Sequence, residues 1–154
     1  MDVAGSPPAS TPAHPVSGAP WETFAHEADV GVRGRGATLA EAFAGAATAL
    51  TAAICDPASV RPDTAASIAC AAPDDELLLV DWLNALIYEM ATRHMLFSRF
   101  DVAVADHRLR ATAWGEAVDI ARHRPAAEAK GATCCELAVR REAGQWLAQC
   151  VVDV

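Results

Sequence analysis

Two short acidic blocks carry the residues of this chain best suited to chemistry. His26-Glu27-Ala28-Asp29 precedes an alternating run, and acidic side chains are uncommon in strands unless something retains them. The last residues read Cys150-Val151-Val152-Asp153-Val154, which sets a side-chain carboxylate beside the main-chain terminus. Carboxylates brought together repel one another unless protonated or neutralised, and a hard divalent cation provides neutralisation. A frayed acidic terminus is the plainer reading of the same residues. Residue chemistry alone leaves both open.

Other constellations are weaker. Asp29-Val30-Gly31-Val32-Arg33-Gly34-Arg35-Gly36-Ala37-Thr38 suggests strand, glycine-rich turn and helix start, the order of a phosphate cradle. The dinucleotide fingerprint fails, because after Gly34 and Gly36 position 39 is Leu where helix–strand packing needs a small residue. No Walker-type loop is present either. These glycines are expected to serve a tight strand-to-helix turn. A nucleophilic Cys134 or Cys135 with His26 or His123 as base lacks any local signature that would depress a thiol pKa. The five cysteines include no CxxC pair, and adjacent Cys134 and Cys135 on a strand would point to opposite faces, a poor start for tetrahedral zinc. Reduced thiols packing as small hydrophobes are expected. His94 reads as a helix-end residue and His107 as a turn residue.

The elements that must position these groups follow from composition and periodicity. The 154 residues suit one domain, and 53% hydrophobic content supplies a sizeable aliphatic core, which excludes a chain disordered throughout. A net charge of −8 disfavours autonomous binding to nucleic-acid phosphates or anionic membranes, and favours a protein partner, a metal ion or a neutral ligand. The longest uncharged stretch of substantial apolar content, Ala42–Cys55, falls short of the roughly 20 residues a membrane span needs. With no secretory pattern, a cytoplasmic protein is expected. Residues 1–20 hold five of the nine prolines and a single charge, Asp2, so a flexible leader is expected there and one domain over 21–154.

Thr38 and Glu41 have capping-box spacing, with Leu39, Phe43, Ala46, Ala47, Leu50 and Ile54 on one stripe behind them. A second helix begins near Pro73–Asp74, with Asp75 and Glu76 at its positive end and Leu79, Trp82, Leu83, Leu86, Ile87 and Met90 on its buried face. Alternation marks strands through Phe100–Val104, Leu109–Ala113 and Trp146–Val152, with Asp106–His107 as a hairpin turn. Shorter strands are expected at Asp29–Arg35, Ala66–Ala71 and Ala132–Arg141. Few long crossovers separate the later strands. The expected fold is therefore α+β: a mainly antiparallel sheet with two helices packed on one face.

From Trp21 onward the chain resembles the archease family. The matching blocks are His26-Glu-Ala-Asp29-Val-Gly, Thr38-Leu-Ala-Glu41-Ala-Phe43, Leu78-Leu-Val-Asp-Trp82-Leu-Asn-Ala-Leu86, Gly115-Glu116, His123-Arg-Pro125, Ala129-Lys130-Gly-Ala-Thr133 and the closing Trp146 to Val154. The resemblance implies a non-enzymatic protein that promotes guanylylation and multiple turnover of a GTP-dependent RNA-splicing ligase in tRNA splicing and RNA repair. It also implies a divalent metal, commonly calcium, held by Asp29, Asp153 and Val154. Lys130 would contact a nucleotide phosphate or an acidic partner group. Cys134-Cys135 stands where the family commonly has Tyr-His, and Glu27 where Thr is usual. Two rival functions are a chaperone-like modulator of a tRNA-modifying enzyme such as a methyltransferase, and a small metal-dependent hydrolase using the same carboxylates.

Overall fold

Helices form where apolar side chains return every three or four positions behind a capping residue. In the computed structural model, which describes residues 20–154, α1 spans Leu39–Ile54. Thr38 Oγ1 accepts from the Glu41 N–H at 3.1 Å, and the Glu41 carboxylate accepts from the Ala37 and Thr38 amides, completing the capping box. Helix α2 spans Asp75–Arg93; Asp74 Oδ1 accepts from the Leu77 N–H at its start, and His94 ends it in the left-handed region at φ 55°. The Trp82 indole donates to the Phe43 carbonyl at 3.0 Å, tying α2 to α1 through a buried contact. A 3-10 turn, Pro57–Ser59, follows α1, and a single-turn helix α3 covers Ile120–His123. Among the described residues, no helix is long and apolar enough to cross a membrane.

The strands are β1 (Trp21–His26), β2 (Asp29–Gly36), β3 (Thr64–Ala71), β4 (Met95–Ala105), β5 (Arg108–Ala117), β6 (Gly131–Ala132), β7 (Ala138–Glu142) and β8 (Gln145–Asp153). Their pairings are antiparallel. They build two sheets: a larger one in the order β1-β2-β8-β6, with β7 also on β8, and a smaller one in the order β3-β5-β4. Helix α1 packs on β1, β2 and β8 and reaches β4, while α2 lies against β3 and β6. One core joins both sheets through the helices, with Val32, Cys150 and Val152 from one side and Ile68, Leu109 and Ala113 from the other. The α+β class with antiparallel pairing holds.

Four local features depart from the sequence expectations. Trp21–His26 is a strand, paired residue for residue with β2. The run Ala132–Arg141 is two strands, interrupted where Cys134 to Leu137 turns: the Leu137 N–H reaches the Cys134 carbonyl at 3.3 Å and Glu136 adopts φ 54°. Cys134 and Cys135 therefore sit on an exposed bend rather than on opposite faces of a strand. Gly34 lies inside β2 with no positive φ, so it is not a turn residue. A Cβ there would overlap the Ala42 carbonyl and Ala46 amide, so the glycine permits close approach of α1 to the strand. The proposed leader lies outside the described residues except for Pro20, whose carbonyl accepts from the Arg35 N–H at 2.8 Å.

Candidate functional site

Strand register brings the two acidic blocks together. Strands β2 and β8 pair from Val30–Val152 to Gly36–Trp146, and continuing that register by one residue sets Asp29 opposite Asp153. His26 faces Asp29 on the other side of β2, and Gly131 faces Asp153 on the other side of β8. One row across four strands thus reads His26, Asp29, Asp153, Gly131. Side chains alternate along strands, and Val32, Cys150 and Val152 belong to the core with α1. Asp29 and Asp153 therefore project from the opposite face. Neither carboxylate has an ion-pair or hydrogen-bond partner among the described residues.

The surroundings hold this row in place. The turn Glu27–Ala28 joins β1 to β2 in two residues, with Glu27 at φ 53°. One step inward, the Phe24 ring lies across Gly31, where any Cβ would overlap it. Arg33 stacks on that ring 4.5 Å from its centroid, pairs with Glu22, and donates through Nε to Gln149 Oε1 at 2.7 Å. On the far edge, the Lys130 N–H donates to the Asp153 carbonyl at 2.8 Å, and Asn84 Oδ1 of α2 accepts from the Ala132 N–H at 2.8 Å. The Lys130 side chain is exposed.

Oxygen donors of this kind suit a hard cation such as calcium or magnesium rather than a soft metal. Two opposed carboxylates fit such an ion in chemistry but not in number, since calcium takes six to eight oxygens. No trio of His, Cys, Asp or Glu side chains placed to hold a metal occurs among the described residues. Main-chain oxygens of Val154, water or a partner's groups would have to supply the remainder.

A second cluster escaped sequence reasoning. Glu116, at the end of β5, accepts from the Arg61 N–H at 2.8 Å, from both terminal nitrogens of Arg122 at 2.9 and 2.8 Å, and from His123 Nε2 at 2.8 Å. The Arg122 guanidinium, with the Arg61 amide next, holds the Glu116 carboxyl well below the usual carboxylate range. His123 is fully enclosed, and its Nδ1 accepts from the Asp119 N–H at 2.9 Å, which places the ring proton on Nε2. Arg122 also donates to the Ser59 carbonyl at 2.7 Å, and the Ala126 N–H reaches the Ile54 carbonyl at 2.8 Å. The segment leading to Lys130 is anchored by these bonds. The sequence signal was available: Arg-His sits one short turn after a Gly-Glu pair, although nothing local revealed that the pieces meet.

The thiol chemistry considered from sequence finds no support in this geometry. Both ring nitrogens of His123 are engaged, so that imidazole is not free to serve Cys134 or Cys135 as a base. The Cys135 carbonyl accepts from the Val151 N–H on the β6 side of β8, whereas His26 lies two strands away on the other side. A nucleophile and its base must lie within hydrogen-bond reach. Cys150 is buried in the core, and burial pushes its thiol up to about 12.

Comparison with known proteins matches residues 21–154 to a family model described as the Archease protein family. A protein archease from Pyrococcus furiosus is 34% identical over 139 residues, covering 87% of this chain and 98% of that relative. One from Methanosarcina acetivorans is 34% identical over 145 residues, covering 91% and 99%. The solution structure of Methanobacterium thermoautotrophicum protein 1598 superposes with a TM-score of 0.76 at 29% identity, covering 88% of this chain and 99% of that one. A Thermotoga maritima crystal structure, described as an archease and possible chaperone, shares the fold at a TM-score of 0.56 and 18% identity, covering 86% and 96%.

Proposed function

The chain belongs to the archease family, and from that membership we propose that it is a non-enzymatic protein cofactor of a GTP-dependent RNA-splicing ligase, acting in the cytoplasm to promote ligase guanylylation and multiple turnover. The observation that carries this reading is the cross-strand meeting of Asp29 with Asp153. In it, Asp29, Asp153 and the main-chain oxygens of Val154 hold a divalent cation, calcium by preference. Such an ion neutralises the acidic corner and offers its open coordination positions to groups of the partner. The chain itself contributes placement. Paired strands fix the two carboxylates, while the Asn84 and Glu116 contacts hold the Lys130 segment beside them. Exposed Lys130 then meets a nucleotide phosphate or an acidic partner group. The reacting histidine and the GMP stay on the ligase.

Ligation by the cognate ligase, assayed with ligase limiting and with or without this protein, tests the reading. The expected result is several products per ligase with the protein present, and about one or fewer without it. Equal turnover in both conditions refutes it. A chaperone-like effect on a tRNA-modifying enzyme would leave ligation unchanged, and a hydrolase would show metal-dependent turnover by the purified protein alone, lost in Asp29→Ala.

A further inference from the structure

The outer face of the smaller sheet carries a charge arrangement opposite to that of the whole chain. Side chains on the central strand β5 that point away from the core are Arg108, Arg110, Thr112 and Trp114. The register flanks Arg110 with Ala69 on β3 and Ala103 on β4, and flanks Arg108 with Ala71 and Ala105. Ser67 and Asp101 flank Thr112. Two arginines whose Cα atoms lie about 7 Å apart along the strand by its rise per residue thus stand on a floor of alanines. A shallow depression of about 450 Å³ opens beside Arg110 and Thr112.

The carboxylates that share this face are already occupied. Asp101 accepts from the Trp114 indole at 3.2 Å and from Arg99 at 3.3 Å, and Glu116 is taken by Arg122, His123 and the Arg61 amide. Asp106, at the hairpin tip, forms no ion pair with either arginine. Among the described residues Arg108 and Arg110 have no acidic partner. Asp74, Asp75 and Asp106 gather around His107 at the hairpin end, so in a chain of net charge −8 the unpaired positive charge of this face centres on Arg110, with Arg108 at its edge.

We propose that the outer face of the β3-β5-β4 sheet binds single-stranded nucleic acid through its phosphates, with Arg108 and Arg110 as the contacting cations and the Ser67 and Thr112 hydroxyls beside them. Protein interfaces draw most of their energy from large side chains seated in pockets. This face offers alanines, and its one large ring, Trp114, is half-buried and stacked by Arg99 at 5.3 Å. Phosphate contacts need only cations and hydroxyls on an accessible surface. Small flanking residues let an extended strand approach both guanidinium groups. With only two such contacts on an acidic chain, binding is weak and strongly dependent on salt. The proposal stands apart from the ligase reading, because it concerns the isolated chain and a different sheet.

Anisotropy titration of a labelled single-stranded oligouridylate with the full chain at low ionic strength tests it. The expected affinity falls with salt at a logarithmic slope of about −1.4, two phosphates at about −0.7 each. The Arg108→Ala/Arg110→Ala variant is expected to bind about tenfold more weakly with a slope near zero, while Arg140→Ala on the larger sheet leaves binding unchanged. Both arginines are exposed and have no ion-pair partner among the described residues, and circular dichroism establishes that the double variant is folded. Absence of oligonucleotide binding at low salt overturns the proposal. So does equal affinity in the double variant, or a polyglutamate peptide of matched charge binding as tightly as the oligonucleotide.

Discussion

Replacing Asp29 by asparagine should change the sign of its effect with the presence of calcium. Extending the Val30–Val152 register by one residue sets Asp29 opposite Asp153 on antiparallel strands, and neither carboxylate has an ion-pair partner among the described residues. Like charges so placed cost about 0.2–1 kcal/mol. In chelator, Asp29→Asn is therefore expected to stabilise the protein, and for a domain of this size that raises Tm by about 1–3 °C. Calcium at a hundredfold excess over Kd should stabilise the native chain by about 2.7 kcal/mol, a rise of about 5–11 °C by the same conversion. The variant should forfeit most of that rise. Calorimetric scans of both proteins, in EDTA and across a calcium titration, give the four values needed. A variant less stable than the native chain in EDTA refutes the claim that the two carboxylates repel. An undiminished calcium shift in the variant refutes the claim that Asp29 is a ligand.

Three further outcomes follow from contacts elsewhere. Gly34→Ala forces a methyl group into the backbone of α1 at Ala42 and Ala46, and urea unfolding should show a loss of about 1–3 kcal/mol or more; a neutral result would mean that the helix can move away freely. Asn84→Ala removes the acceptor of the Ala132 N–H, so hydrogen exchange at Ala132 should accelerate and calcium affinity fall several-fold; unchanged exchange would separate α2 from the acidic corner. Glu116 has a depressed folded-state pKa, so its stabilising effect is present above its ordinary value of 4.5 and disappears as pH falls through the lower folded value. The gap in urea midpoint between the native chain and Glu116→Gln should accordingly be full at neutral pH and shrink below about pH 4.5, and parallel curves would contradict the assignment.

What could be read from sequence were the features whose cause is local. The Thr38–Glu41 box, the helix start near Pro73–Asp74, the helix end at His94 and the Asp106–His107 hairpin each depend on a few adjacent residues, and each stands where its chemistry put it. Features that depend on a distant neighbour were harder to see. Strand β8 looks like an ordinary alternating strand, yet Leu147 through Val152 are all buried: it lies inside the sheet, with β2 on one edge and β6 and β7 on the other, and both of its faces are shielded from solvent. Gly34 looks like a turn residue until α1 is seen to rest on it. His123 looks like a spare imidazole until the chain folds back and sets it against Glu116 at the end of β5. The Asp29–Asp153 meeting belongs to the same class, since no spacing rule links residues at opposite ends of a domain; family resemblance, rather than periodicity, pointed to it.

That long separation has a physical consequence for the proposed role. Asp29 and Asp153 become neighbours only when β8 has entered between β2 and the β6–β7 side, which is also the step that buries Cys150, Val151 and Val152. Contacts between such distant residues carry a loop-closure cost that local helices and hairpins do not. The acidic corner is therefore unavailable to a chain that has formed only α1, α2 and the β4–β5 hairpin. Any ion held there binds the native state in preference to the unfolded one, and its binding energy is added to the closing of this strand pair. Lys130 is tied to the same corner by a separate route, through the Glu116–Arg122–His123 anchor. Loosening that anchor should thus disturb Lys130 and leave the Asp29–Asp153 register intact, so that loss of activation without loss of calcium binding in Glu116→Gln would assign the two halves of the site distinct tasks.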